Sequence, residues 1–212
     1  MNKGFTLIEL AIVMIIIGII LGSAIKSTEI IKDARAKANI TDITKLADAQ
    51  HTFYERVARF AGDSDNDGQI DFTSLNSTNP PDEANTTNSG DMDFAFQELE
   101  NLGILPVKTN SDHATIRSGG PAYFAGSTVT DVAGNNTVLN MIVVRQVPCL
   151  TAFAMEQNID KSSPDAANSA STGRVRYIDG TALEAINAWT VNTICANNPD
   201  TLTNLAYLFD RF

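Results

Sequence analysis

Histidine, cysteine and tryptophan are scarce in this 212-residue chain: two, two and one respectively. His51 and His113 stand in no metal-ligand spacing of the His-Glu-x-x-His kind, and the glycines form no phosphate-binding loop. Two cysteines are too few for a closed four-thiolate zinc site. They are the right number for one disulfide, with two buried free thiols as the alternative. Bases are scarce too: 15 Lys and Arg stand against 25 Asp and Glu, a formal net charge of −10. Nucleic acid and anionic headgroups therefore meet no attraction from the molecule as a whole. Carboxylates are plentiful, but nothing pairs two of them across a cleft, so no catalysis is expected. With 43% hydrophobic and 19% charged residues, wholesale disorder and a polytopic membrane protein are both disfavoured. The length suits one ordinary domain with something left over.

The surplus is apolar and lies at one end. From Leu10 to Ile25 the chain reads LAIVMIIIGIILGSAI without a charge, and the 21 residues from Phe5 to Ile25 carry only Glu9. A helix needs roughly 20 apolar residues to cross a bilayer. A secretory signal would have a shorter apolar core, of roughly 7 to 15 residues, and then a small-residue cleavage site. This run is longer and passes directly into a helical pattern, which favours a retained segment over a removable one. Glu9 is the odd residue, because a carboxylate in an apolar run is costly without a partner. Either it lies in the first helical turn near the headgroups, where the helix dipole favours an anion, or it pairs with a cation supplied by another subunit.

The residues Lys3-Gly4-Phe5-Thr6-Leu7-Ile8-Glu9-Leu10 resemble the class III signal of type IV pilins and of the related pseudopilins of type II secretion. The resemblance implies a leader of residues 1–4. A membrane-embedded prepilin peptidase would cleave between Gly4 and Phe5, and Phe5 would be N-methylated. It also implies that Glu9 neutralises the Phe5 α-amine of a neighbouring subunit as it joins a filament, removing two charges that are each costly in an apolar bundle. Motif resemblance covers about the first 30 residues, and beyond them only the layout is similar. The helix-kinking proline of many thinner pilins is replaced here by Gly22-Ser23-Ala24-Ile25-Lys26, so any kink would have to come from Gly18 and Gly22.

Past the apolar run, Ile30, Ile31, Ala34, Ala38, Ile43, Leu46, Ala47, Phe53, Tyr54, Val57 and Phe60 fall mostly three or four apart, the period of an amphipathic helix. With no proline from Phe5 to Ala61, the pattern predicts one helix over 5–61, about 84 Å long. Residues 5–25 would form its transmembrane or filament-core part and 26–61 an amphipathic continuation backing a head. A coiled coil would require a heptad that this spacing does not keep. The aromatic residues on this stripe are read as core.

The head, 62–212, holds 19 acids and 7 bases, so the acidity belongs to it. Its densest stretch is Asp63-Ser64-Asp65-Asn66-Asp67-Gly68-Gln69-Ile70-Asp71, which follows the first nine positions of an EF-hand loop. Carboxylates this close repel unless a hard cation sits among them. Calcium would take side-chain oxygens from Asp63, Asp65 and Asp67, the backbone carbonyl of Gln69, and Asp71 directly or through water, with Gly68 permitting the tight turn. Position 12 is Ser74 where a bidentate glutamate should stand, so a last ligand would come from elsewhere, such as Asp91 or Asp93. The alternative is a solvated acidic turn ending the long helix.

Residues 73–90 read as a surface loop and 91–103 as a short helix stopped by Gly103. Strand candidates follow at 114–117, 121–125, 138–145 and 174–178, then a short helix over 149–157. Phe209 and Phe212 are expected to pack the C-terminus onto the head. Joining Cys149 to Cys195 would close a loop of about 46 residues, worth roughly 4 kcal/mol in the chain-entropy description. Heads of the resembled family often hold their C-terminal region by such a bond.

The expected fold class is α+β, a long N-terminal helix packed on an antiparallel β-sheet head, as the pilin resemblance implies. The resemblance also implies a structural subunit, processed by prepilin peptidase and assembled by an inner-membrane platform with other copies of itself and other pilins. The chain would be a single-pass inner-membrane precursor, then part of an extracellular pilus or periplasmic pseudopilus. The alternative is a membrane-anchored exported calcium-binding or adhesive protein that does not polymerise.

Overall fold

The computed structural model describes residues 6–76, 90–106, 115–117, 119–130, 136–161, 163, 166–183, 189, 195 and 201–210, the side chains of 23–29, 32, 129, 130 and 136 apart. Helix α1 runs Leu7–Val57, 51 residues or about 77 Å. Thr6 caps its start with extended backbone and a hydroxyl that accepts the Glu9 N–H. At the other end Ala58 takes a left-handed conformation, φ 62°, and donates to Tyr54 O. The helix thus stops short of the expected Ala61, because Gln50 draws Ala61 back alongside the last turns. The Gln50 Nε2 donates to Ala61 O at 3.0 Å, and its Oε1 accepts the Ala61 N–H at 2.9 Å.

The two halves of α1 meet different surroundings. Every described side chain from Leu7 to Gly22 is exposed, including twelve large hydrophobic ones. Burial begins at Ala36 and continues through Asn39, Ile43, Leu46, Ala47, Gln50 and Phe53, a stripe at helical period. Ile30, Ile31, Tyr54 and Val57, expected within that stripe, are exposed. The first two precede the stretch that the head covers, and the last two keep the stripe's period but stand in the final turn of the helix, past Phe53 where burial ends. Among the described residues no helix is long and apolar enough to cross a membrane. The described side chains of the apolar run, 7–22, cover about 24 Å against the roughly 30 Å of a hydrocarbon core.

The head is an antiparallel five-stranded sheet in the order β1-β2-β5-β3-β4, formed by β1 Ala122–Thr130, β2 Asn136–Pro148, β3 Val175–Asp179, β4 Ala182–Leu183 and β5 Leu202–Leu208. The overall class is therefore α+β. Phe124 faces Ile142 across β1–β2, Met141 faces Leu208 across β2–β5, and Val175 faces Tyr207 across β3–β5. β2 is buried without interruption from Leu139 to Arg145, which requires cover on both of its faces. Helix α3, Cys149–Ile159, packs against α1 and also touches β2, β3 and β5. At the α1–α3 contact Asn39 Nδ2 meets Met155 Sδ at 3.8 Å.

Two expectations shift and two strands are new. The candidate strand 114–117 contributes only an isolated Thr115–Pro121 bridge, with Ala114 outside the described residues. Helix α2 is Phe94–Asn101, shorter than 91–103, since Asp93 occupies the N-cap and Gly103 lies beyond the helix at φ +65°. β4 and β5 were not anticipated. β5 carries a single β-branched residue, Thr203, so its central place comes from partners rather than propensity. Cys149 and Cys195 form a disulfide with both residues buried, so α3 is tied at its first residue to the C-terminal segment. Phe209 packs as expected, 5.4 Å from Phe60 and 6.2 Å from Phe124 between ring centroids, while Phe212 lies outside the described residues.

Residues 69–72 lie along the outer edge of β1, where Gly126 donates to Phe72 O at 2.8 Å. A Cβ at Gly126 would stand 2.3 Å from Ile70 O and 2.6 Å from Gln69 Cγ. Gly126→Ala therefore sets a methyl against backbone, and overpacking of this kind costs about 1–3 kcal/mol. Thermal melting of the detergent-solubilised chain should register a lower Tm for Gly126→Ala and none of that loss for Gly18→Ala, where an added Cβ meets nothing within 4 Å.

Candidate functional site

The acidic loop follows the end of α1 directly. Three of its carboxylates, those of Asp63, Asp65 and Asp71, each place an oxygen within 4.8 Å of the others. Calcium–oxygen distances of 2.3–2.6 Å set opposite ligands about 5 Å apart, so three such oxygens could share one calcium sphere. Asp63 is buried, Asp65 exposed and Asp71 between the two. Gly68 has φ +90°, as the sharp turn of such a loop demands, and Asn66 takes the left-handed region at φ 60°, which asparagine tolerates.

The loop's own backbone already points at these carboxylates. Asp63 Oδ1 accepts the Asp67 N–H and its Oδ2 the Gly68 N–H, at 3.2 and 3.1 Å. Asp71 Oδ2 accepts from the backbone and the hydroxyl of Ser64. Burial pushes the Asp63 carboxyl above its ordinary 3.8, with the Asp67 charge adding, while the N–H groups of Gly68, Asn66 and Asp67 oppose the rise. A carboxyl raised in the folded state keeps its proton to higher pH than the unfolded chain does. The metal-free loop therefore loses stability as pH rises from 3.8 through the raised value, and a bound cation would offset that loss.

Of the other sequence-predicted ligands, Asp67 turns Oδ1 to the Gln69 N–H at 2.7 Å, and Gln69 Oε1 accepts the Thr128 hydroxyl at 2.6 Å. Asp91 and Asp93 stand outside the three-carboxylate group, at the start of α2. Three residues that the sequence did not single out hold the loop. Glu98 of α2 accepts the Gly62 N–H at 2.8 Å and pairs with Arg59, whose guanidinium is also within the field of Asp63 and Asp71. Gln50 fixes Ala61, and Asn140 of β2 bonds Gly68 and Ile70. Their partners lie up to 72 residues away in sequence, so no local pattern marks them.

At the other candidate site, Glu9 Oε2 accepts both the Thr6 N–H and the Thr6 hydroxyl, each at 2.8 Å, completing a capping box. This is the local reading of the carboxylate, in the first helical turn. Gly4 and Phe5 lie outside the described residues.

No curated protein and no solved structure matches the chain. The family model described as the prokaryotic N-terminal methylation motif matches residues 1–25, so the chain carries the class III signal of type IV pilins and pseudopilins.

Proposed function

We propose that this chain is a structural subunit, pilin or pseudopilin, of a type IV pilus or type II secretion-like filament. The methylation motif over 1–25 carries this reading. The exposed apolar surface of α1 from Leu7 to Leu21 supports it, because soluble monomers rarely leave so large a contiguous apolar patch bare. Lipid covers that surface in the inner-membrane precursor, whose span is completed by residues up to Ile25, and the helices of other subunits cover it in the filament. Prepilin peptidase removes residues 1–4, Phe5 is N-methylated, and the assembly platform lifts the chain from the membrane. Glu9 then meets the Phe5 α-amine of a neighbour. The head faces outward on the pilin-like layout of helix and sheet, and its role is structural rather than catalytic.

Calcium stabilises that head in the same reading. Asp63, Asp65 and Asp71 supply carboxylate oxygens, the Gln69 carbonyl and Asp67 complete the loop's contribution, and the ion neutralises a cluster that otherwise repels itself.

Intact mass spectra of membrane and sheared-filament fractions should contain a species beginning at methylated Phe5; a chain still beginning at Met1 in both would favour the non-polymerising anchored protein. Glu9 has two roles to separate. Glutamine at this position keeps a side-chain acceptor for the capping box but removes the charge. Glu9→Gln should therefore reduce sheared-filament recovery as severely as Glu9→Ala, and wild-type recovery from Glu9→Gln would confine the residue to helix capping. For the loop, calcium at a hundredfold excess over its Kd adds about 2.7 kcal/mol, on the order of 5–10 °C in the Tm of a chain this size. Asp65→Ala should abolish the difference between calcium and chelator, and identical wild-type melts in both would return the loop to a solvated turn.

A further inference from the structure

We propose that Asn140 is the positioning residue of the acidic loop, aiming the Gln69 carbonyl as a ligand; the proposal rests on the calcium reading above. Asn140 sits in β2 and is 1% exposed. Its Nδ2 donates to Gly68 O at 2.8 Å, and its Oδ1 accepts the Ile70 N–H at 2.9 Å. These two bonds fall on the two peptide planes that flank Gln69. A trans peptide holds its C=O and N–H antiparallel, and no described peptide bond is cis. Binding the Gly68 carbonyl therefore turns the Gln69 N–H away from β2, and that N–H is found on Asp67 Oδ1 at 2.7 Å. By the same planarity, binding the Ile70 N–H turns the Gln69 carbonyl away from Asn140. One amide group thus sets both peptides, turns the Gly68 carbonyl toward β2, and leaves that of Gln69 at the loop position where backbone oxygen is wanted.

Asn140 is itself held. Its N–H donates to Asp210 Oδ2 at 2.8 Å, just past the end of β5, and its place in β2 faces Gly126, the glycine against which 69–70 packs. The orienting group therefore rides on the sheet, not on the loop, and the loop's backbone ligand is set before an ion arrives. Groups that orient ligands from outside a metal's own shell typically change affinity by about 10- to 100-fold when removed.

The test is a calcium titration of the full chain in detergent micelles, at a temperature where near-ultraviolet circular dichroism reports each variant folded. Asn140→Leu, with the same number of side-chain heavy atoms in the same branched arrangement but without either hydrogen bond, should raise the calcium Kd about 10- to 100-fold. Thr203→Val removes another buried polar group of the sheet, whose hydroxyl donates to Val147 O at 3.0 Å away from the loop. It should lower the Tm and leave the Kd unchanged. If Asn140→Leu does not fold, Asn140→Ser, which keeps a small polar side chain but cannot span both peptides, should weaken binding in the same direction. Folded Asn140 variants with the wild-type Kd would overturn the positioning role while leaving calcium binding intact. A wild-type chain that does not bind calcium would overturn the calcium reading, and this inference with it.

Discussion

The head depends on one constraint: the irregular chain between Ala58 and Phe72 is partly buried, and its backbone polar groups must find partners outside any helix or sheet. Side chains supply them. Gln50 takes both polar groups of Ala61, Glu98 takes the Gly62 N–H, and Asn140 takes Gly68 O and the Ile70 N–H. Gly126 then donates to Phe72 O, which no larger residue at that position would allow without displacement. Long helix, short helix and sheet are tied together through this one segment. Leaving any of these buried groups unpaired costs about 1–3 kcal/mol, which makes the amide residues as important to the fold as the aromatic core beside them.

That core is continuous with the segment. Phe60 meets Phe209 and Phe209 meets Phe124, which also packs 4.9 Å from Phe96 of α2. Ile70, the apolar residue of the acidic loop, is 1% exposed, so the loop is anchored from below by hydrophobic burial while its carboxylates gather above. The burial that secures the loop also raises the Asp63 carboxyl. Without a counter-ion, the packing that orders the segment works against the charge on it.

Local features were legible in the sequence and distant ones were not. Helical spacing without proline foretold α1 to within a few residues, and the Asp-x-Asp-x-Asp-Gly pattern foretold a turn in which Gly68 has positive φ. Two cysteines foretold one bond. The N-terminal signal was readable because it is a short contiguous motif. By contrast, β5 is made a strand by pairing with β2 and β3, and Leu-Thr-Asn-Leu-Ala-Tyr-Leu alone has little of the β-branched density that marked β2. Gln50, Glu98 and Asn140 look like ordinary polar residues until the tertiary fold sets them against backbone. The buried stripe of α1 was displaced for the same reason. Periodicity tells that a helix has an apolar face, but only the extent of the head decides where cover begins.

The position of β5 also bears on the order in which the molecule can be built. β5 lies between β2 and β3, yet it is the last strand in the chain, so the sheet remains two separate pieces until Leu202–Leu208 has been made. Contacts of such sequence separation are slow to form because a long loop must close before they repay its entropy. A chain held at its N-terminus in a membrane would therefore present β2, its longest strand, with one edge open throughout synthesis and export. The disulfide between Cys149 and Cys195 shortens that search by bringing the end of β2 close to the segment that leads into β5. An oxidising compartment would thus contribute to the rate at which the head closes as well as to its final stability.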